Sequence, residues 1–333
     1  MLAVFLKGAT IMSFIHIKQV AVYHPENRVG NDYYIEHFQK QGRDISGFLE
    51  AMGKEHRYII NNDENSLSMA ITASKQALQA ANLEGKDIDF IYFSSQVPQF
   101  LFPPNAMLIH DAIGAPAHCG GLDTNANCAG MMIAIEQAVR SMQSNPALQR
   151  VLVVGSDHFS LIANPEQEIS YATYGDAACA VILERSAEQG GFIDAAYEVF
   201  TVHVDKITYP VGGASNRQGD YLVFDRFDAS FGPETAVRLI QTLAKRNKIA
   251  LTDINAFCFS QFAYGDKLQI EAALNLPPEK VIYIGDQYGY TGTSSPFIAL
   301  YEAIQHGQVK RGDYIMFWTV GAGHQFIAML YQY

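Results

Sequence analysis

Residues 87–96 read DIDFIYFSSQ, and residues 253–261 read DINAFCFSQ. Each is an apolar, β-prone run that opens on aspartate and closes on Ser-Gln. Asp87 and Asp253 stand 166 positions apart. Each run follows a helical pattern, Ser68–Ala81 in the first case and Pro233–Asn247 in the second. A second correspondence lies downstream, IAIEQAV at 133–139 against IALYEAI at 298–304, 165 positions apart. Both have apolar residues at helical spacing. A third pairs the strand Val151–Gly155 with the strand Tyr314–Val320, and each is followed by a closing strand, Ala178–Glu184 and Phe326–Tyr331. Three matches in order at a shared offset indicate a duplication. Val151–Val154 is apolar throughout, as a strand covered on both faces must be. Alternating strands and helices predict mostly parallel sheets with helical layers. Two similar α/β halves are therefore expected, residues 1–190 and 191–333, stacked α-β-α-β-α.

The composition supports a packed core. Of 333 residues, 49% are apolar and 17% charged, which is globular usage and excludes a disordered chain. The net charge is −11, and the densest basic cluster, Lys245, Arg246 and Lys248, fits one helix face. No nucleic-acid partner is expected. Four cysteines, Cys119, Cys128, Cys179 and Cys258, show neither Cys-x-x-Cys nor zinc spacing. They predict no metal and free thiols in a reducing, cytoplasmic compartment. No run approaches the ~20 apolar residues of a membrane span. Met1–Met12 is broken by Lys7 and lacks a cleavage site, so no signal peptide is expected, and Met12 is a candidate start.

The chemistry centres on DTNANCAGMMIAIEQAVR at 123–140. Cys128 follows a short strand and precedes a helix, and Gly130 permits close backbone approach. A helix N-terminus favours the thiolate, the reactive form of cysteine. Its N–H groups are candidates for holding an oxyanion in acyl transfer. Cys119, Cys179 and Cys258 read as buried structural thiols.

NCAG before an amphipathic helix resembles the active-site cysteine segment of the ketoacyl-ACP synthase III family. YGDAACAVILE at 174–184 is similar to that family's F-G-D-G-A-G-A strand, YGYTGTSSPFIALYEAI at 288–304 to its G-N-T-S loop and helix, and VGAGHQFIAMLYQY at 320–333 to its closing glycine-rich turn. The resemblance runs from about residue 14 to the end. It implies a duplicated thiolase-like five-layer α-β-α-β-α fold, an acyl-thioester on Cys128, and usually a homodimer. It also implies a Cys-His-Asn triad, and here the pattern departs. CFSQFAYG at 258–265 puts Ser260 where the family has His, and GYTG at 289–292 puts Tyr290 where it has Asn. Serine is a poor base, and tyrosine, with an ordinary pKa near ~10, is a weak proton donor. Two candidate substitutes are His324, after Gly321-Ala322-Gly323, and, more weakly, His158 beside Asp157. Either reads more readily as an ordinary histidine pointing elsewhere.

The donor is expected to be acyl-CoA or an acyl carrier protein, with no further cofactor. On so acidic a chain either would need a local basic rim. The stretch matching the family's coenzyme A loop is DISGFLEAMGKEHRYI at 44–59, where Phe48 offers a flat surface and Lys54 or Arg57 a charge. The family's loop tryptophan is missing, since Trp318 falls in a core strand, and Lys267 lies where the family has an arginine. Phe102, in FLFPPNA, matches a position that reaches into a neighbouring subunit, and Gly323 is a further substrate-site candidate. Residues 205–228 read as a long loop or hairpin able to cover the pocket mouth. The expected activity is acyl transfer through Cys128 to an acceptor, with decarboxylative condensation in doubt. The alternatives are a weakly catalytic partner subunit, forming a heterodimer with a related synthase, and a synthase III using His324 as base.

Overall fold

The computed structural model describes residues 14–333; the readings of Met1–Met12 lie outside the described residues. The first half runs β1 (Phe14–Tyr23), β2 (Arg28–Gly30), α1 (Asn31–Gln39), α2 (Ser46–Ala51), β3 (His56–Tyr58), α3 (Ser66–Ala80), β4 (Phe90–Ser94), α4 (Asn105–Ile113), β5 (Gly120–Thr124), α5 (Gly130–Ser144), β6 (Arg150–Asp157), α6 (Glu168–Tyr171) and β7 (Ala177–Ser186). The second runs β8 (Gly191–Val199), β9 (Ile207–Thr208), β10 (Val223–Phe224), α7 (Phe231–Asn247), β11 (Ile254–Phe259), α8 (Tyr264–Leu274), β12 (Val281–Ile282), α9 (Gly285–Tyr288), α10 (Ser295–Gln305), β13 (Tyr314–Gly321) and β14 (Gln325–Gln332).

The duplicated segments fold alike. One sheet has the strand order β1-β7-β6-β4-β5, and the other, read from its far edge, β8-β14-β13-β11-β12. The two quoted runs become β4 and β11, each paired in parallel with two neighbours. The sheets are mixed rather than mostly parallel, which corrects the expectation. β6–β7 and β13–β14 run antiparallel, as do β1–β7 and β8–β14. The reason lies in the connections. A helix long enough for a parallel crossover is missing between β6 and β7, and β13 turns straight into β14 through residues 322–324.

Period-two patterning sorts each sheet's side chains into two cores. The faces toward the middle of the molecule bury α5 and α10 between the sheets, through Met131, Ile135 and Val139 from one and Phe297, Ile298 and Leu300 from the other. The outer face of the first sheet carries α3 and α4, and that of the second α7 and α8. Five layers result. Helix starts follow local chemistry: Asn65 caps α3 by accepting from the Leu67 and Ser68 N–H groups, and Ser68 Oγ accepts from the Asn65 N–H. Trp318 is buried in β13 beneath the outer helices. Among the described residues no helix is long and apolar enough to cross a membrane.

The halves meet tightly at the chain's one conspicuous cysteine loop. A Cβ on Gly321 would stand 2.5 Å from the Ala126 carbonyl oxygen, two residues from Cys128. Backbone on that side cannot retreat, because Gly130 N–H donates to the Asn127 carbonyl at 2.9 Å and a Cβ on Gly130 would itself meet Ser94 Oγ at 2.3 Å. Gly321→Ala is expected to destabilise the fold by about 1–3 kcal/mol, the usual cost of overpacking. Calorimetric melting checks this; an unchanged Tm would show that the two loops yield.

Candidate active site

Cys128 sits at the join of the halves, between β5 and α5, half-buried with its sulfur in a cavity of about 180 Å³. The cavity wall is mostly aromatic: Phe159 and Tyr174 from the first half, Phe262, Tyr290 and Phe326 from the second, and Phe224 and Phe227 from the 205–228 segment. That segment does form a strap, pinned by β9 pairing with β10, and Ile207, Leu222 and Phe224 turn inward from it.

Three of the sequence candidates come together. Tyr290 hydrogen-bonds the Cys128 sulfur and also Ser260. Ser260 is placed by β11, its N–H donating to the Trp318 carbonyl at 2.8 Å. Tyr290 is held by Tyr290 N–H to the Thr173 carbonyl, 2.8 Å, and by ring packing on Phe262 and Tyr174. Burial first, then the neighbouring sulfur, raises its hydroxyl pKa well above normal, so Tyr290 is a donor and not a base.

His324 lines the same cavity but is no partner of the sulfur: neither ring nitrogen has a hydrogen-bond partner among the described residues. Its place as general base is not supported by this geometry. The reason is the turn, where His324 takes φ +58° and its ring lies edge-on to Phe227 and Phe231. Gly323, at φ +84°, makes the turn and is not part of the cavity wall, to which Gly321 and Ala322 contribute instead. His158 lies next to the buried Asp176 and off this wall.

The coenzyme A candidates need correction. Arg57 is fully buried and donates to the Ala172 carbonyl and to Asn31 Oδ1, its guanidinium 4.4 Å from the Tyr34 ring centre. Lys54 is 2% exposed and donates to the Gln261 carbonyl at 2.6 Å and the Tyr283 hydroxyl at 3.0 Å. Desolvation pushes its ammonium down to about 7. Both are struts between segments, neither a solvated helix end nor a phosphate rim. Lys54 does border a separate cavity, but Glu50, Glu55 and Asp286 line it too and would repel phosphate. Phe48 packs beside Tyr34 and Leu49, and Lys267 pairs with Glu271 at 2.8 Å. Phe102 is 88% exposed and takes no part in its own chain's cavity.

The expectation of an activated thiolate is also overturned. Burial in an aromatic wall pushes the Cys128 thiol up to about 11; hydrogen bonds from Tyr290 and at Gln96 only partly oppose it. The helix N-terminus compensates only in part: the Cys128 N–H favours the thiolate, but the N–H groups that follow it are already used. Ala129 N–H donates to Ala126 O, Gly130 N–H to Asn127 O, and Met131 N–H to Thr293 Oγ1 at 2.6 Å. No cationic histidine faces the sulfur to hold a negative charge.

Sequence reading missed Gln96 and Asp157. Gln96 Oε1 accepts from the Cys128 thiol at 3.6 Å, while its Nε2 donates to Asp157 Oδ2 at 3.1 Å. Asp157, fully buried at the end of β6, also accepts from Gln96 N–H at 2.7 Å, Ser95 Oγ at 3.2 Å and Thr293 N–H at 2.9 Å. Part of the signal was in the repeat: both matched runs close on Ser-Gln, and Gln96 of the first and Ser260 of the second reach the cavity wall, whereas Gln261 turns away to the Phe259 and Ile282 carbonyls.

A cysteine at the junction of two duplicated α/β halves, at the foot of an apolar cavity, defines a thiolase-fold protein. Residues 122–199 match the family described as 3-oxoacyl-[acyl-carrier-protein (ACP)] synthase III, and residues 244–333 match its C-terminal family. The β-ketoacyl-[acyl-carrier-protein] synthase III of Bartonella tribocorum is 30% identical over 303 residues, covering 85% of this chain and 89% of the relative. That of Methylococcus capsulatus is 29% identical, covering 86% and 89%. The crystal structure of 3-oxoacyl-[acyl-carrier-protein] synthase III from Aquifex aeolicus superposes with a TM-score of 0.85 at 26% identity, covering 96% of this chain and 100% of that one. The chain belongs to the 3-oxoacyl-[acyl-carrier-protein] synthase III family.

Because the thiol is raised to about 11, only about one part in 10⁴ is thiolate at pH 7. Alkylation of Cys128 by iodoacetamide should therefore climb roughly tenfold per pH unit from 7 to 10, with no plateau. Tyr290→Phe removes a hydrogen bond that holds the pKa down, so its rate at pH 9 should fall below that of the wild type. Mass-resolved labelling of Cys128 reads both; a plateau near pH 8 would contradict the assignment.

Proposed function

We propose that this protein transfers an acyl group through Cys128, from the thioester of coenzyme A or an acyl carrier protein to an acceptor, without decarboxylative condensation. The observation that carries this is the sulfur at the foot of an aromatic cavity, hydrogen-bonded by Tyr290, with Ser260 behind it. Sγ attacks the donor's thioester carbonyl, a new C–S bond forms, the donor's C–S bond breaks, and the acyl group remains on Cys128.

The thiol proton has no resident base to take it. Tyr290 is held protonated, and Asp157 is saturated by four donors. The proton therefore ends on the departing thiolate, releasing the donor as a thiol. In the second step the acceptor's N–H or O–H supplies a proton back to Sγ as the acyl group leaves. Tyr290 donates to the sulfur in both steps and so steadies the charge it carries.

Condensation asks for more. Decarboxylating a malonyl unit places negative charge on its thioester oxygen, and the family resemblance assigns two donors to it, at the positions of Ser260 and Tyr290. Tyr290 is engaged with the sulfur here, and Ser260 with Tyr290. A homodimer, with the exposed Phe102 reaching the neighbouring subunit, completes the reading.

Intact-mass analysis after incubation with short acyl-CoA and acyl-carrier thioesters should show one acyl adduct, lost in Cys128→Ala. No adduct from any donor would reject the proposal, and co-purification with an active synthase would then favour the partner-subunit reading. Wild-type protein should release CO₂ from malonyl thioester no faster than the uncatalysed background. The double variant Ser260→His with Tyr290→Asn should gain up to about 10²-fold over that background, since one such donor is worth about 10²–10³ in rate.

A further inference from the structure

The cavity above Cys128 has a single carboxylate on its wall, and that carboxylate has no structural task. Asp266 stands in the first turn of α8 and lines the cavity together with Phe231 and Gly232 from the start of α7. A Cβ on Gly232 would lie 3.9 Å from Asp266 Oδ2, so the carboxylate is turned toward this cavity-lining end of α7. Among the described residues neither oxygen accepts a hydrogen bond or meets a cation, and desolvation alone raises the group to about 6. Neither oxygen is closed to water, unlike both ring nitrogens of His324 on the same wall.

An acid in a first turn is favoured by the helix dipole. A solvated one would serve equally, however, and Asp266 accepts from none of the N–H groups of α8. Its position among aromatic rings costs free energy, because a charge drawn out of water needs a partner. The protein supplies none. No lysine or arginine lines the cavity, and the adjacent Lys267 is committed to Glu271 at 2.8 Å. A lone carboxylate is too few ligands for a metal ion, and no cluster of three ligating side chains stands among the described residues. An organic cation fits both features of the wall: the carboxylate neutralises it, and the surrounding ring faces attract it.

We infer that Asp266 is a binding residue for an ammonium group, and that the cavity therefore takes a cationic amine. Resting on the acyl-transfer reading, this amine is the acceptor. Its ammonium sits on Asp266, while an uncharged N–H or O–H elsewhere on the same molecule attacks the acyl carbon on Cys128. The two ends are separate, since the carboxylate whose charge the sulfur feels is Asp157 and not Asp266. A new C–N or C–O bond forms, the C–Sγ bond breaks, and the proton of the attacking group passes to Sγ. An acceptor with a carboxylate at that end would be repelled, and a neutral one would leave Asp266 uncompensated.

Calorimetric titration of the wild-type protein with hexylammonium, hexanamide and hexanoate tests the site without any acyl transfer. Hexylammonium should bind about tenfold tighter than hexanamide, and hexanoate more weakly still. Asp266→Asn should shrink that preference to within about twofold, whereas Asp266→Glu should keep most of it; unchanged melting of both shows that the fold is intact. In a second arm, protein acylated on Cys128 by a short acyl-CoA is followed by intact mass. The best of the α,ω-diamines of three to six carbons should discharge it about tenfold faster than the monoamine of equal length, an advantage lost in Asp266→Asn. The inference is overturned if hexanamide binds as tightly as hexylammonium, if neither binds, if the preference survives Asp266→Asn, or if no diamine outpaces its monoamine. Asp266-dependent ammonium binding with no adduct on Cys128 from any donor would remove the acyl-transfer reading and leave the ammonium site standing.

Discussion

The Asp157 carboxylate is the constraint on which the site depends. It ends β6 at the floor between the halves and gathers donors from both: Ser95 and Gln96 after β4, and the Thr293 N–H before α10. Thr293 in turn accepts from Met131 N–H at the start of α5, and its hydroxyl lies 3.1 Å from Ser94 Oγ. One buried carboxylate thus aligns the helix that follows Cys128, the strand end bearing Gln96, and the loop bearing Tyr290. Charge-assisted hydrogen bonds in a low-dielectric interior are stiff and costly to break singly. Asp157 also settles the orientation of the Gln96 amide: its NH₂ must face the carboxylate, which leaves the carbonyl oxygen for the thiol.

That arrangement suits a resting thiol. Gln96 accepts from S–H, the aromatic wall penalises a thiolate, and α5 has committed its first N–H groups to protein acceptors. In the proposed acyl transfer, reactivity comes with the substrate, whose departing sulfur takes the proton.

Much of the architecture was legible in one dimension. The repeat of DIDFIYFSSQ in DINAFCFSQ, with two further matches at nearly the same offset, is enough to give paired halves, because period-two and period-3.6 apolar patterns survive duplication better than individual residues do. Strand direction was not legible: it depends on whether a crossover helix intervenes, and the 158–176 connection carries only a short helical turn. Cys128, Ser260 and Tyr290 were found by position in their motifs, and the structure brings the three together at one cavity. Arg57 and Lys54 misled because a cation in a stretch of mixed polarity looks like surface, while here both charges are buried against carbonyls supplied by residues more than a hundred positions away.

The sequence by itself determined the duplication and the cysteine at a strand-to-helix junction, since each is a matter of local pattern and residue identity. Only the tertiary structure decided the protonation of Cys128, the burial of Arg57, and the isolation of His324 within the same cavity. Those are properties of desolvation and of partners brought together across the two halves, and neither exists until the sheets have closed on α5 and α10.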